Sequence, residues 1–253
     1  MGAKTRNRWF VGAGRGEPGE CALYAFPHAG AGVSATRGLC TALAESLDAY
    51  GVRLPGRESR VDDPVETVMP VLADKLAEEL RRHAEGRQVV LFGHCAGSVI
   101  AYEVARRLDT AQLRGLAVSS RQAPGSARRE PTWALPQEEF LKQVETDGYL
   151  PPDILANREL LEIYEPVVRA DYELVETYEW EQYDSGPGEP ISAAVAAVYG
   201  RDDPAIERAH IDAWSGLTSG RFEALPVPGG HDLLGRRPTE LADAIRRGLS
   251  LDA

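Results

Sequence analysis

Cys95 stands between two glycines in Gly93-His94-Cys95-Ala96-Gly97. The apolar run 89–92 before it reads as a buried strand. Val99, Ile100, Val104 and Leu108 after it recur at helical spacing. A thiol at so sharp a strand-to-helix turn is set up as a nucleophile. The turn lifts the sulfur above the strand end, and the free amides and positive dipole end of the next helix favour the thiolate. Glycine is needed on either side because the turn presses backbone against backbone. A buried cysteine in an ordinary crossover has the same local pattern, so the rest of the chain must decide.

Such a nucleophile needs a base, an acid to orient the base, and donors for an oxyanion. Residues 191–199 and 222–227 read as strands. Gly200-Arg201-Asp202-Asp203-Pro204 follows the first, and Pro228-Gly229-Gly230-His231-Asp232 follows the second. Nucleophile, acid and histidine in that chain order is the α/β-hydrolase order. Asp202 and Asp203 compete for the acid's place. Asp203 precedes Pro204, which favours an extended residue and a turn, while Asp202 reads as a cap or a solvated charge. Upstream, Pro27-His28-Ala29-Gly30-Ala31-Gly32 is a Gly-rich turn after a strand. In this architecture it supplies one oxyanion amide, from Ala29, and Ala96 supplies the other. His28 reads as an organiser of that loop and a possible substrate contact rather than as the base.

The elements that must hold these groups alternate. Residues 21–26 read as a strand, followed by a helix capped by Ser34 and running to about residue 47. A short strand at 50–54 comes next, then a helix starting at Asp63-Pro64, kinked at Pro70 and ending near His83. After the Cys95 crossover, 113–119 is another strand. This rhythm implies an α/β fold: a mostly parallel sheet covered on both faces, with its chemistry at the C-terminal edge. The rhythm breaks at residues 125–188, where 136–144 and 157–181 read as helices, the second carrying Leu160, Leu161, Tyr164, Val167 and Val168 at helical spacing. This insertion reads as a helical lid over Cys95. It divides a core of residues 1–124 and 189–253, and Ser185-Gly186-Pro187-Gly188 reads as its hinge. Glu173, Glu176, Glu179, Glu181 and Asp184 make its end acidic, mostly as a solvated face.

The 253 residues suffice for one large domain. A net charge of −11 argues against nucleic acid and anionic membranes as partners. The first residues lack the apolar core of a signal peptide, and no apolar run reaches membrane-spanning length. Cys21, Cys40 and Cys95 are odd in number and far apart, which suggests neither a disulfide framework nor a zinc site. A reducing cytoplasm suits a thiol that must stay free.

Taken together, the motifs resemble those of the type II thioesterases of polyketide and nonribosomal peptide assembly lines, within the α/β-hydrolase superfamily. The resemblance runs over nearly the whole chain. It is carried by Phe26-Pro27-His28-Ala29-Gly30-Ala31, Leu54-Pro55-Gly56-Arg57, Ser120-Arg121-Gln122-Ala123-Pro124, Arg169-Ala170-Asp171-Tyr172 and Pro228-Gly229-Gly230-His231. It implies Cys95, His231 and Asp203 as the catalytic set, Asp203 being the residue at the family's acid position. It also implies an acyl group carried on the phosphopantetheine arm of an acyl or peptidyl carrier protein, and no metal or bound organic cofactor. Two departures stand out. Cysteine replaces the family's usual serine, and Asp232 follows the histidine where apolar residues are usual.

Cysteine keeps the acyl group as a thioester, so hydrolysis competes with transfer to a second carrier thiol, an amine or an alcohol. A non-catalytic carrier-binding module is the third reading. Asp232 is a candidate contact for a substrate amine, against a capping role. Arg57, Arg60, Arg121, Arg128, Arg129, Arg236 and Arg237 are candidates for a basic docking patch, although Arg57 and Arg60 could instead meet an anionic group or, more simply, be solvated.

Overall fold

β-Branched and aromatic residues in short runs build the sheet, and amphipathic segments cover it. The structure, a computed structural model, describes residues 7–12, 19–44, 46–125, 131–148, 152–185 and 189–251. In chain order the elements are β1 (Phe10–Gly12), β2 (Cys21–Phe26), α1 (Arg37–Leu43), β3 (Asp48–Val52), α2 (Met69–Ala84), β4 (Gln88–His94), α3 (Ala96–Ala105) and β5 (Leu113–Ser119). Then follow α4 (Gln137–Thr146), α5 (Pro152–Leu155), α6 (Arg158–Ser185), β6 (Ala194–Gly200), α7 (Arg208–Asp212), β7 (Phe222–Val227), α8 (Leu233–Arg236) and α9 (Pro238–Leu249).

The strands form one sheet in the order β1-β3-β2-β4-β5-β6-β7. Only the edge strand β1 runs antiparallel; the other pairings are parallel. Both faces are buried. Tyr24, Leu91, Val99, Tyr102 and Trp214 belong to the core on one side, and Leu23, Phe92, Leu241 and Ile245 to the core on the other. This is the doubly covered α/β sheet expected from the alternation, with β4 central in it. Reversal of the strand order on either side of β2 and β4 opens a crevice at their C-terminal ends. Among the described residues no helix is long and apolar enough to cross a membrane.

Several boundaries differ from the sequence expectation. Ser34 does not cap a helix; it lies in a 3-10 turn, Val33–Thr36, and α1 begins after it. Asp63-Pro64 does not open a helix either. α2 starts at Met69, with Pro70 in its first turn, where a missing N–H costs nothing and no kink results. Residues 50–54 are strand only to Val52, and β6 begins at Ala194, with Ile191 in an isolated bridge to Thr218. The 186–188 hinge lies outside the described residues, as do the side chains of Glu179, Glu181 and Asp184.

Candidate active site

Cys95 is the residue between β4 and α3, at φ +48° and ψ −118°. A side chain at positive φ is strained and persists only where its surroundings hold it. Here the Cys95 N–H donates to Ser119 O at 2.8 Å. Ser98 Oγ donates to Gly93 O at 2.8 Å and to Ser119 O at 3.2 Å, tying both sides of the turn to β5. The flanking glycines are packed backbone to backbone. A Cβ on Gly93 would strike the Gly97 carbonyl, and one on Gly97 would strike the carbonyls of Phe26 and Pro27.

His231 arrives from the loop after β7. Its Nδ1 lies 2.7 Å from Asp203 Oδ2, and it is hydrogen-bonded to Cys95. Ser120, at φ +52°, donates its Oγ to His231 O at 2.9 Å and fixes this loop against the end of β5. Asp203, whose side chain is fully buried, also accepts from Ala205 N at 2.9 Å through Oδ1. Asp202 does not share the site. It pairs with the Gly229 backbone, receiving that N–H at 3.3 Å. Burial opposes charge on His231. Hydrogen bonds to Asp203 and Cys95 and the negative charges of both outweigh it, and the pKa rises to about 10. The imidazole therefore holds a proton at neutral pH beside the sulfur.

Two neighbouring imidazoles are neutral. His94 lies fully buried beneath the turn, with Nδ1 3.2 Å from Ser119 Oγ and its ring 5.9 Å from that of His231. Burial first, then the nearby His28 and His231, hold its pKa well below the ordinary value. His28 lies 6.0 Å from His94, and burial lowers its pKa to about 4. Neither can compete with His231 for the proton. His28 thus lines the site as a neutral group of its own loop.

Ala96 opens α3, so its N–H has no intrahelical acceptor. Ala29 is buried in the loop after β2. The next amide, Gly30 N–H, is taken by Asp171 Oδ2 of α6 at 2.7 Å. The same carboxylate receives Arg57 Nη1 and Nη2, each at 2.7 Å, and Arg57 Nη1 also reaches Ala31 O at 3.1 Å. Gly30 has φ +73°, and a Cβ there would meet Val168 and the Tyr164 hydroxyl. So α6 is pinned onto the loop that carries Ala29.

Of the two readings of Arg57, the structure overturns solvation and shows the meeting with an anionic group, Asp171. Arg57 is 7 % exposed and ion-paired. Arg60 is equally buried, bonded to Asp63 at 2.7 Å and stacked on Trp9 at 3.6 Å. Neither belongs to a docking patch. Arg236 and Arg237 remain at the surface, and Arg128 and Arg129 lie outside the described residues. Asp232 behaves as the capping alternative expected: its Oδ1 accepts from Gly235 N at 2.8 Å, and Arg236 sits 3.7 Å away.

Asp171, Ser120 and His94 stand within the motifs quoted from the sequence but were given no role of their own there, and Ser98 was given none either. Asp171 had a signal. It is an acid between Val168 and Leu174 on a stripe that is otherwise buried and apolar, a place that demands a partner.

A parallel sheet with a strained elbow after its central strand, and an acid and a histidine after later strands, defines an α/β-hydrolase. The family model described as thioesterase domain matches residues 22–249, so the chain belongs to that family. The type II thioesterase BorB from the borrelidin biosynthetic cluster is 30% identical, with a TM-score of 0.83, over 98% of this chain and 100% of that one. Linear gramicidin dehydrogenase LgrE of Brevibacillus parabrevis is 30% identical over 96% of this chain and 93% of its own length. AMB antimetabolite synthetase AmbE of Pseudomonas aeruginosa is also 30% identical, over 98% of this chain, but the match spans only 12% of that protein. The resemblance to type II thioesterases that the motifs carry is borne out.

Proposed function

We propose that the protein is a thioesterase that releases acyl or aminoacyl groups from the phosphopantetheine arms of carrier proteins, through a Cys95 acyl-enzyme. The hydrogen-bonded series Cys95–His231–Asp203 at the end of the sheet carries this reading. BorB's name gives the reaction class, and its borrelidin cluster the biosynthetic setting. LgrE's name speaks instead of dehydrogenation. Hydride transfer has no use for a strained sulfur paired with an imidazole, so the site favours acyl chemistry.

The Cys95 sulfur attacks the thioester carbonyl, with the amides of Ala29 and Ala96 receiving the oxyanion. Losing one such donor typically costs about 10²–10³ in rate. As the tetrahedral intermediate collapses, the bond to the pantetheine sulfur breaks and His231 gives its proton to the leaving thiolate. Acylation removes the negative sulfur and its hydrogen bond, two of the causes that raise the His231 pKa. Once the pantetheine thiol has left, His231 is free to take a proton from water. That water attacks the acyl carbon, Sγ leaves and recovers the proton, and the free acid departs. Asp203 holds the ring by Nδ1 throughout.

The same intermediate serves a second reading. A Cys95 thioester exchanges nearly isoenergetically with another thiol, so transfer to a second carrier is easier from this site than from an ester on serine, whose return to a thiol is uphill. Intact-protein mass spectrometry with a panel of acyl-loaded carriers tests both. The expected result is an acyl adduct on the wild-type protein, absent from Cys95→Ala, that decays to free acid. Decay only when a second carrier thiol is added would favour transfer. No adduct with any carrier would leave a binding module.

A further inference from the structure

Two loops at the end of the sheet lead into surface elements that meet each other. The loop of Ala29 runs through the 3-10 turn Val33–Thr36 into α1, and the loop of His231 runs into α8 and α9. α8 packs on that turn, and α9 on α1. The seam is close: a Cβ on Gly38 would stand 3.1 Å from Pro238 Cβ. Arg37 precedes Gly38 and Arg237 precedes Pro238, so the two arginines start from neighbouring backbone. Arg236 stands beside them.

The Arg237 side chain also lies along the loop of His231. A Cβ on Gly229 would stand 3.6 Å from Arg237 Cγ and 3.9 Å from its Nε. Arg236 sits 3.7 Å from Asp232, the residue after His231. All three arginines are exposed. This is also a side from which the reacting groups can be reached. Cys95 and the Asp203 side chain are buried, but the His231 side chain is 22 % exposed. An acyl arm coming from solvent past His231 has these guanidinium groups on its rim.

The charges on this rim do not cancel. Asp232 pairs with Arg236 at 3.7 Å and Glu240 with Arg237 at 3.2 Å. Arg201 and Asp202, both exposed at the end of β6, balance each other. Glu58, close to Gly32, pairs with Arg53. Arg37 makes no ion pair among the described residues. The edge is therefore positive on a chain whose net charge is −11. A local cationic rim on a negative molecule suits an acidic partner face, which it draws in and orients.

We propose that Arg37, Arg236 and Arg237 form the docking face for an acidic surface of the carrier protein, which delivers its arm to Cys95 past His231. This rests on the thioesterase reading.

The test uses the carrier from the panel that acylates Cys95 fastest, loaded with butyryl, beside butyryl-phosphopantetheine and the butyryl thioester of N-acetylcysteamine. In the wild-type protein, kcat/KM for the loaded carrier is expected to fall roughly tenfold between about 50 and 500 mM salt, as screening shortens the reach of the charges. The N-acetylcysteamine thioester should show no such fall. Arg37→Glu with Arg236→Glu is expected to lose roughly tenfold towards the carrier at low salt, through KM rather than kcat, and to lose the salt dependence. Both small thioesters should react as they do with the wild-type protein. Arg237 is left in place because it packs on the loop of His231. Undiminished turnover of the carrier by the double variant, or a wild-type rate indifferent to salt, overturns the proposal. So does an equal loss towards butyryl-phosphopantetheine, since the arginines would then hold the phosphate of the arm. An equal loss towards the N-acetylcysteamine thioester overturns it as well, since the reaction itself would be disturbed. Failure of the thioesterase reading shows differently, as no adduct from any thioester, and takes this proposal with it.

Discussion

A single oxygen of Asp171 receives both Arg57 Nη1 and the Gly30 N–H, each at 2.7 Å. One buried carboxylate thereby joins the turn after β3, the loop that carries Ala29, and the helix lying across them. The position of that loop depends on an ion pair made by a residue outside the reaction.

Asp171→Ala is expected to cost both stability and rate. It leaves the Arg57 charge, 7 % exposed, without its partner. Breaking a buried pair in this way typically costs about 3–5 kcal/mol. At about 2–4 °C per kcal/mol for a domain of this size, the melting temperature should fall by roughly 6–20 °C. Adduct formation on Cys95 should slow well below the melting range, because the Ala29 amide loses its fixed place. Thermal scanning beside timed mass spectrometry checks this. A variant melting lower with an unchanged acylation rate would show that the pair serves stability alone.

Gly97→Ala should abolish acylation. The new methyl group would meet the carbonyls of Phe26 and Pro27, which are backbone and cannot swing aside as a side chain can. Either the elbow or the loop of Ala29 must move, and both hold groups that the proposed reaction uses. The expected outcome is a soluble protein of lowered melting temperature with no detectable adduct. Gly86→Ala serves as a control for a glycine with no neighbour within 4 Å, although its φ of +83° carries a small strain of its own.

The His231 proton predicts a pH profile. Its folded pKa is raised, to about 10, by Asp203 and Cys95 against the opposing effect of burial. A group of this kind stabilises the fold fully below its unfolded pKa of about 6.5, and the contribution is lost as pH rises through the folded value. The same proton keeps a thiolate beside it. Alkylation of Cys95 by iodoacetamide should therefore remain fast at pH 6 in the wild-type protein. In His231→Asn it should fall away below about 8.5, the pKa of a free thiol. Coincident profiles for the two proteins would remove the ion pair from the mechanism.

What the sequence made legible follows from local rules. The glycines around Cys95 are demanded by contacts a few residues long, so elbow, strand and helix were all readable. Asp203 was separable from Asp202 because Pro204 constrains the residue before it. Arg57 was left between solvation and an anionic partner because that partner is 114 residues away. An arginine after a Pro-Gly turn looks solvated until the insertion folds back over it. The start of α2 was misread for a different reason. Asp63-Pro64 carries the right signs for a helix start, but Asp63 is spent on Arg8 and Arg60 instead. Tertiary pairing outcompeted a local cap.

Exchanging the proposed nucleophile separates the two proposed fates of the acyl group. Cys95→Ser places a hydroxyl at the same strained position, with the same imidazole and the same amides. It forms an ester, which lies below a thioester in energy, so return of the acyl group to a thiol becomes uphill. With acyl-loaded carrier and excess pantetheine, the wild-type protein should yield both free acid and acyl-pantetheine. The serine variant should shift the products towards free acid, and act more slowly, because a hydroxyl is a far weaker acid than a thiol and His231 must remove its proton during attack rather than before it. Chromatography of the two products reads the partition directly. If the serine variant still loads pantetheine in the wild-type proportion, the energy of the acyl-enzyme does not decide between the two fates.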